Sequence, residues 1–195
     1  MQKTHPHISI IAGPNGSGKS TCGPAILQKH LRISKFVNAD TIAAGLSAFQ
    51  PAEVAIEASR IMLNRIKALA KRSENFAFET TLSSRTFAPW IARIKNEGYH
   101  FSLIYFWLHN EELAIERVAA RVRLGGHDIP EETIRRRFKS SLINFFSLYQ
   151  SLADQWCVYD NSELDKHALI AKGKQTNTLE VFQKHKWNLI KEYQK

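Results

Sequence analysis

The segment Gly13-Pro14-Asn15-Gly16-Ser17-Gly18-Lys19-Ser20, followed by Thr21, restricts what this chain can fold into more than any other. Its spacing is that of a phosphate-binding loop. An apolar run, Ile8 to Ala12, leads into it, and helix-compatible residues from Lys19 to about Leu31 follow. Strand, loop and helix in that order are the context the motif requires. The glycines let successive N–H groups turn inward, and the helix N-terminus adds partial positive charge. Gly13, Asn15, Gly16, Ser17, Gly18, Lys19, Ser20 and Thr21 are therefore the expected cradle for the triphosphate of ATP. Lys19 is expected to reach the β and γ phosphates, and the Ser20 hydroxyl to ligate the Mg2+ that bridges them. An accidental glycine turn or a dinucleotide-type loop is the alternative, and the flanking context disfavours both.

The rest of the chain alternates in the way such a loop demands. Phe36-Val37-Asn38-Ala39-Asp40 reads as a short strand that delivers Asp40 at its end, with a weak helix or turn from Thr41 to Leu46. Pro51 to Arg72 carries apolar residues near the 3.6 period, with Pro51 suited to the first turn. Asn75 to Phe78 is strand-like and delivers Glu79-Thr80-Thr81; Phe87 to Glu97 is helical, closed by Gly98. Phe101 to Leu108 is the most apolar run, suited to a central strand buried on both faces. Asn110 caps a helix to about Leu124, stopped by Gly125-Gly126, and Pro130 opens a long helix through Leu152. Trp156 to Tyr159 and Lys166 to Lys172 read as strands, and Thr178 to Tyr193 as a terminal helix. This order predicts a three-layer α/β fold, P-loop and nucleotide-kinase-like, with a mostly parallel sheet and a helical arginine-rich lid over about residues 111–140. At 195 residues it is expected to be one domain.

Composition narrows the setting. Two cysteines give no disulfide framework, no charged-apolar-small leader opens the chain, and no apolar run approaches the roughly 20 residues that cross a bilayer. A cytoplasmic protein without membrane contact is the expectation. The formal charge of +9 suits a polyanionic ligand, and its densest block is Arg117, Arg121, Arg123, Arg135, Arg136, Arg137 and Lys139. Arginine's planar fork suits phosphate better than lysine does.

A kinase needs a cradle, a metal, a group that takes the acceptor's proton and positive charge on the moving phosphoryl group. Asp40, at a strand end, is the candidate base, with a helix N-cap as its bland alternative. Glu79 is placed to bind acceptor hydroxyls or a metal-bound water, with Thr80, Thr81 and Arg85 lining the same pocket. Arg121 and Arg136 are the candidate phosphoryl-binding arginines of the lid. His127 reads as a loop-shaping residue, and Asn161-Ser162 as a base contact or a cap. A nucleotide-dependent nucleic-acid-binding protein is the rival class, but no aromatic residues interleave the basic stripe.

Together, Gly13 to Thr21, Asn38-Ala39-Asp40, Phe78-Glu79-Thr80-Thr81 and Arg121-Val122-Arg123-Leu124-Gly125-Gly126-His127-Asp128-Ile129-Pro130 with Arg135 to Arg137 resemble the zeta-toxin family of P-loop kinases. The resemblance implies ATP-dependent phosphorylation of a hydroxyl on a nucleotide-linked acceptor, UDP-N-acetylglucosamine in well-known members, and an antitoxin protein as partner. It implies Lys19 on the phosphates, Asp40 as base, Glu79 on the acceptor sugar and lid arginines on the phosphoryl group. The segment Glu79-Thr80-Thr81-Leu82-Ser83-Ser84 departs from the more familiar glutamate-glycine-threonine form, so another nucleotide or metabolite is the alternative acceptor.

Overall fold

The computed structural model describes residues 5–26, 33–50, 53–126, 128–163 and 166–194. Its centre is a seven-stranded sheet in the order β2-β3-β1-β4-β5-β6-β7. The strands are β1 (His7–Ala12), β2 (Phe36–Val37), β3 (Phe76–Thr80), β4 (His100–Trp107), β5 (Gln155–Asp160), β6 (Ala168–Lys174) and β7 (Asn177–Val181). β2, β3, β1, β4 and β5 are parallel, and β6 and β7 add an antiparallel hairpin at one edge. Parallel neighbours need crossover helices, which the chain supplies as α1 (Lys19–Ile26), α2 (Ala39–Leu46), α3 (Ala55–Lys71), α4 (Phe87–Asn96), α5 (Glu111–Arg123) and α6 (Glu131–Asn144). A π-turn (Phe145–Tyr149) and α7 (Gln150–Leu152) extend α6, and α8 (Lys184–Lys191) with a 3-10 turn (Glu192–Gln194) closes the described chain.

Alternation along β1 sends side chains to both faces of the sheet. Ile8, Ile10 and Ala12 join a large core with Met62 and Ile66 of α3, Ile91 and Ile94 of α4, and Phe138 and Leu142 of α6. Ile11 faces the other way, into a smaller cluster with Cys22 of α1, Ala77, Ile104 and Phe106. The layers are thus helix, sheet and helix. From Phe101 to Trp107, β4 is buried throughout, as its apolar run demands. β1 lies between β3 and β4, which the chain visits later, so a crevice opens where the strand order reverses. Ala12 pairs in register with Thr80, and Trp107 with Asp160, which brings the loops after these strands onto one edge.

The expected elements form, with two corrections. The strand expected from Phe36 to Asp40 stops at Val37, because Asn38 caps α2 and draws Ala39 and Asp40 into its first turn. Residues read as a terminal helix from Thr178 split into β7 and then α8. Gln175 adopts φ 48°, reversing the chain, and its carbonyl accepts the Trp156 Nε1 hydrogen bond at 2.8 Å. The hairpin so fixed takes Asn177 to Val181 into the sheet, and helix begins only where Trp187 and Ile190 can be buried. The distal part of the helix expected to Leu31 and the helix start at Pro51 lie outside the described residues.

At the opposite edge from the crevice, His7 begins β1. Its Nε2 lies 2.8 Å from Ser102 Oγ, and its ring meets His100 edge-on at 5.1 Å. Burial, and then the neighbouring His100, lower the His7 pKa to about 4 against a weaker pull from Asp154. Neutral His7 is therefore the folded form, whereas the unfolded chain protonates it below about 6.5. Stability present above pH 6.5 should fall as pH drops towards 4 and change no further from this group below that. Chemical denaturation from pH 7 to 4 should show a shallower loss for His7→Gln than for the wild type, by about 1–3 kcal/mol across that window.

Candidate active site

The phosphate loop takes the shape its glycines permit. Gly13, Gly16 and Gly18 all have positive φ, at 144°, 75° and 77°. A side chain at Gly18 would run into the Asn161 amide, so close approach as well as backbone freedom requires glycine there. Asn161, the first residue after β5, donates from Nδ2 to Ser17 O at 2.7 Å, and its Oδ1 lies 2.6 Å from His167 Nδ1. Arg117, from α5, donates to Asn161 O at 2.7 Å, Ser162 O at 3.0 Å and Gly16 O at 3.4 Å. These two residues lock the loop after β5 to the phosphate loop. Arg117 is therefore a clamp on backbone carbonyls, where its sequence context placed it with the lid cations.

Lys19 is buried, only 6% exposed, and its Nζ donates to Pro14 O at 2.8 Å. Burial pushes its pKa down, opposed by the carboxylates of Glu79 and Asp40, while Arg121 and Arg137 add to the fall. Glu79 Oε1 stands 3.9 Å from Lys19 Nζ. The Ser20 hydroxyl donates to Glu79 at 2.8 Å, and Asn38 Nδ2 donates to the same carboxylate at 2.7 Å. Burial raises the Glu79 pKa, and Lys19, Ser20 and Asn38 pull it back. Glu79 is thus the hub joining the phosphate-loop lysine, the candidate metal-ligating serine and the loop after β2.

Asp40 is exposed at the rim of this centre, in the first turn of α2. The helix cap is Asn38, whose Oδ1 accepts from Asp40 N at 2.7 Å and Thr41 N at 3.2 Å. Capping, the bland alternative for Asp40, is performed by Asn38, and Asp40 lies within electrostatic reach of Lys19 and Arg137. Sequence reasoning named Asn38 within a motif but assigned it no work. Its signal was its place two residues before a carboxylate at a helix start.

Past β3, Thr80 Oγ1 accepts from Leu82 N at 3.1 Å, and Thr81 Oγ1 and Ser83 Oγ are 2.8 Å apart. Leu82 is fully buried at φ 60°, a backbone conformation rarely adopted by a side-chain-bearing residue. Arg85 is exposed further along this loop.

The lid arginines separate into three kinds. Arg135 is held by Glu111 at 2.9 Å, Glu112 at 2.9 Å and Glu131 at 2.7 Å, which ties the starts of α5 and α6 together. Its placement in an early helical turn needs no ligand to explain it. Arg137 approaches the phosphate loop, with Nη1 3.5 Å from Asn15 Oδ1, and Arg121 lies near enough to lower the Lys19 pKa. Arg136 is exposed on the outer side of α6. His127 lies outside the described residues.

Oxygen donors fit Mg2+, which takes one or two carboxylate or hydroxyl ligands and completes its shell with water and substrate phosphates. Ser20 and Glu79 supply such donors beside the loop. Among the described residues no cluster of three or more metal-ligating His, Cys, Asp or Glu side chains forms.

A glycine-rich loop between β1 and α1, at the reversal point of a parallel sheet, defines a P-loop α/β protein with a nucleotide-kinase-like fold. Residues 1–167 match the model of the Zeta toxin family, and the chain belongs to that family. It is 30% identical over 129 residues to an uncharacterised protein of Haemophilus influenzae, covering 66% of this chain and 90% of that protein. Among solved structures it is similar to a chain of the AvrRxo1-ORF1:-ORF2 complex crystallised with ATP, with TM-score 0.74 and 16% identity over 99% of this chain. It spans 65% of that chain's length. It is also similar to the PezAT chromosomal toxin-antitoxin system of Streptococcus pneumoniae, with TM-score 0.65, 16% identity, and coverage of 97% of this chain and 86% of that one. At 16% identity these two are likenesses of fold.

The Arg117 clamp makes a checkable claim. Arg117→Ala leaves three backbone carbonyls without their charged donor and should lower stability by about 2–3 kcal/mol in urea unfolding. Arg123→Ala, exposed on the same helix, should change it by less than about 0.5 kcal/mol.

Proposed function

We propose that the chain is a Mg2+- and ATP-dependent kinase that phosphorylates a hydroxyl of a nucleotide-linked sugar, with UDP-N-acetylglucosamine the favoured acceptor. We propose further that it is the toxin of a toxin-antitoxin pair. The observation that carries the kinase reading is the junction of Lys19, Ser20, Glu79 and Asp40 at one end of the sheet. Family membership and the fold it shares with a chain crystallised with ATP support it. The fold shared with the PezAT system supports an antitoxin partner. No described helix is long and apolar enough to cross a membrane.

In this reading the inward N–H groups of Gly13 to Thr21 hold the phosphates and Lys19 neutralises the β and γ oxygens. Ser20 would hold Mg2+, which would supply charge neutralisation to the phosphates. Asp40 takes the proton of the acceptor hydroxyl as its oxygen bonds to the γ phosphorus and the β–γ bridging oxygen leaves with ADP. Glu79 binds acceptor hydroxyls on one side and orders Ser20 on the other. Thr80, Thr81 and Arg85 line the acceptor side. Residues 111–140 act as the lid of a single kinase domain, and Arg121 and Arg137 stabilise the moving phosphoryl group; Arg136, exposed on the outer side of α6, reaches it only if that lid rearranges. The open cleft of about 810 Å³ beside Leu113, Arg117, Ala120 and Ser162 suits the nucleoside end of ATP.

A nucleic-acid reading loses its densest cations, because Arg135 is bound by three glutamates and Arg117 by three carbonyls. Backbone phosphates would have to break those pairs.

Alanine at Asp40 should lower phosphoryl transfer by at least about 100-fold while leaving ATP affinity, measured with a fluorescent ATP analogue, within about threefold. Lys19→Ala should lose both. Full transfer by Asp40→Ala would remove Asp40 from the role of base.

A further inference from the structure

The stripe of a packed helix that faces the core is ordinarily apolar. On α6 one such line is polar. Arg137, Ser141 and Asn144 follow one another at i, i+4 and i+7, on one side of the helix. Ser141 is fully buried, with its hydroxyl 2.8 Å from Tyr105 Oη of β4. Asn144, only 6% exposed, donates from Nδ2 to Leu82 O at 2.9 Å and to Ser83 O at 3.0 Å. At the other end of the line, Arg137 approaches Asn15 of the phosphate loop.

Helical geometry then changes at this point. The π-turn from Phe145 to Tyr149 carries an i→i+5 bond, Gln150 N to Phe145 O. In an α-helix, residues 144 and 149 would project in different directions; the wider turn swings Tyr149 towards the side of Asn144. The fully buried Tyr149 donates its hydroxyl to Ser84 O at 2.6 Å. Three successive carbonyls, of Leu82, Ser83 and Ser84, are therefore held by two side chains from one helical bend. The same backbone includes Leu82 at φ 60°, which the surrounding structure must hold in place. Nothing in the catalytic chemistry uses Asn144 or Tyr149.

We infer that Asn144, with Tyr149 presented by the π-turn, is the positioning residue that fixes the Thr80 to Ser84 loop on the acceptor side of the site. This rests on the kinase reading above for its consequence, though not for its geometry. The Asn144 hydrogen bonds reach only the loop after β3, so Asn144 governs acceptor binding and leaves ATP binding alone.

Asn144→Asp keeps the shape of the side chain and removes both donors. In the full chain, amide hydrogen exchange across residues 81–84 should quicken about tenfold, with exchange across 13–20 unchanged. With UDP-N-acetylglucosamine as probe acceptor, its KM should rise about tenfold while the KM for ATP stays within about twofold. Tyr149→Phe, which deletes one oxygen and no packing, should move both readouts the same way by about threefold. Unchanged exchange at 81–84 in both variants would overturn the inference, as would equal changes in the two KM values. Absence of transfer to this sugar by the wild type would overturn the acceptor assignment alone, and the exchange measurement decides the positioning role regardless.

Discussion

A buried ammonium governs the arrangement of this molecule. Lys19, the first residue of α1, lies beneath the phosphate loop with almost no solvent, and an isolated charge there would cost several kcal/mol. The chain offsets that cost with Pro14 O, with Glu79 from the neighbouring strand and with the field of Asp40. Each partner comes from a different element, so the sheet register that aligns β1 with β3 is a condition for holding the charge. Ser20 and Asn38 satisfy the rest of Glu79. The centre is a connected polar network assembled before any ligand arrives. Phosphates entering the loop would take over Pro14's share of the lysine, which makes the resting pairing and the proposed work of the site two uses of one charge.

Around this centre the protein spends its remaining polar contacts on bracing. Asn161 and Arg117 hold the phosphate loop against the loop after β5. Arg135 ties α5 to α6, and α6 in turn holds the loop after β3 through Asn144. These are contacts between side chains and backbone carbonyls or between ion pairs at loop roots. They hold the loops at the carboxyl edge in a defined shape, including φ 60° at Leu82.

The strand-to-loop-to-helix context of Gly13 to Ser20 was legible because it depends on local chemistry: glycine freedom, helix start and apolar run. The apolar β4 and the end of β3 were legible for the same reason, which is why Glu79 could be placed on that edge, whereas the strand expected to deliver Asp40 stops at Val37 because Asn38 starts a helix there. What escaped was work done across long sequence separations. Arg117 reads as one more cation of a basic helix, and only the fold brings it within reach of Asn161 O, 44 residues away. Arg135 reads as one more cation of the basic block because its partners Glu111 and Glu112 lie on another element. Which of Arg136 and Arg137 faces the loop depends on a rotation of α6 that sequence periodicity leaves open. The terminal hairpin was missed because Thr178 to Phe182 shows no strong period, and Gln175 reverses the chain without a glycine.

The most direct test of the account is phosphoryl transfer by the wild-type chain from γ-labelled ATP with Mg2+, in the presence and absence of UDP-N-acetylglucosamine. The account predicts label on a sugar hydroxyl of the acceptor, with little release of free phosphate when the acceptor is omitted. ATP bound at the loop without label appearing on this or any other hydroxyl acceptor would contradict it, leaving a nucleotide-binding fold without the kinase.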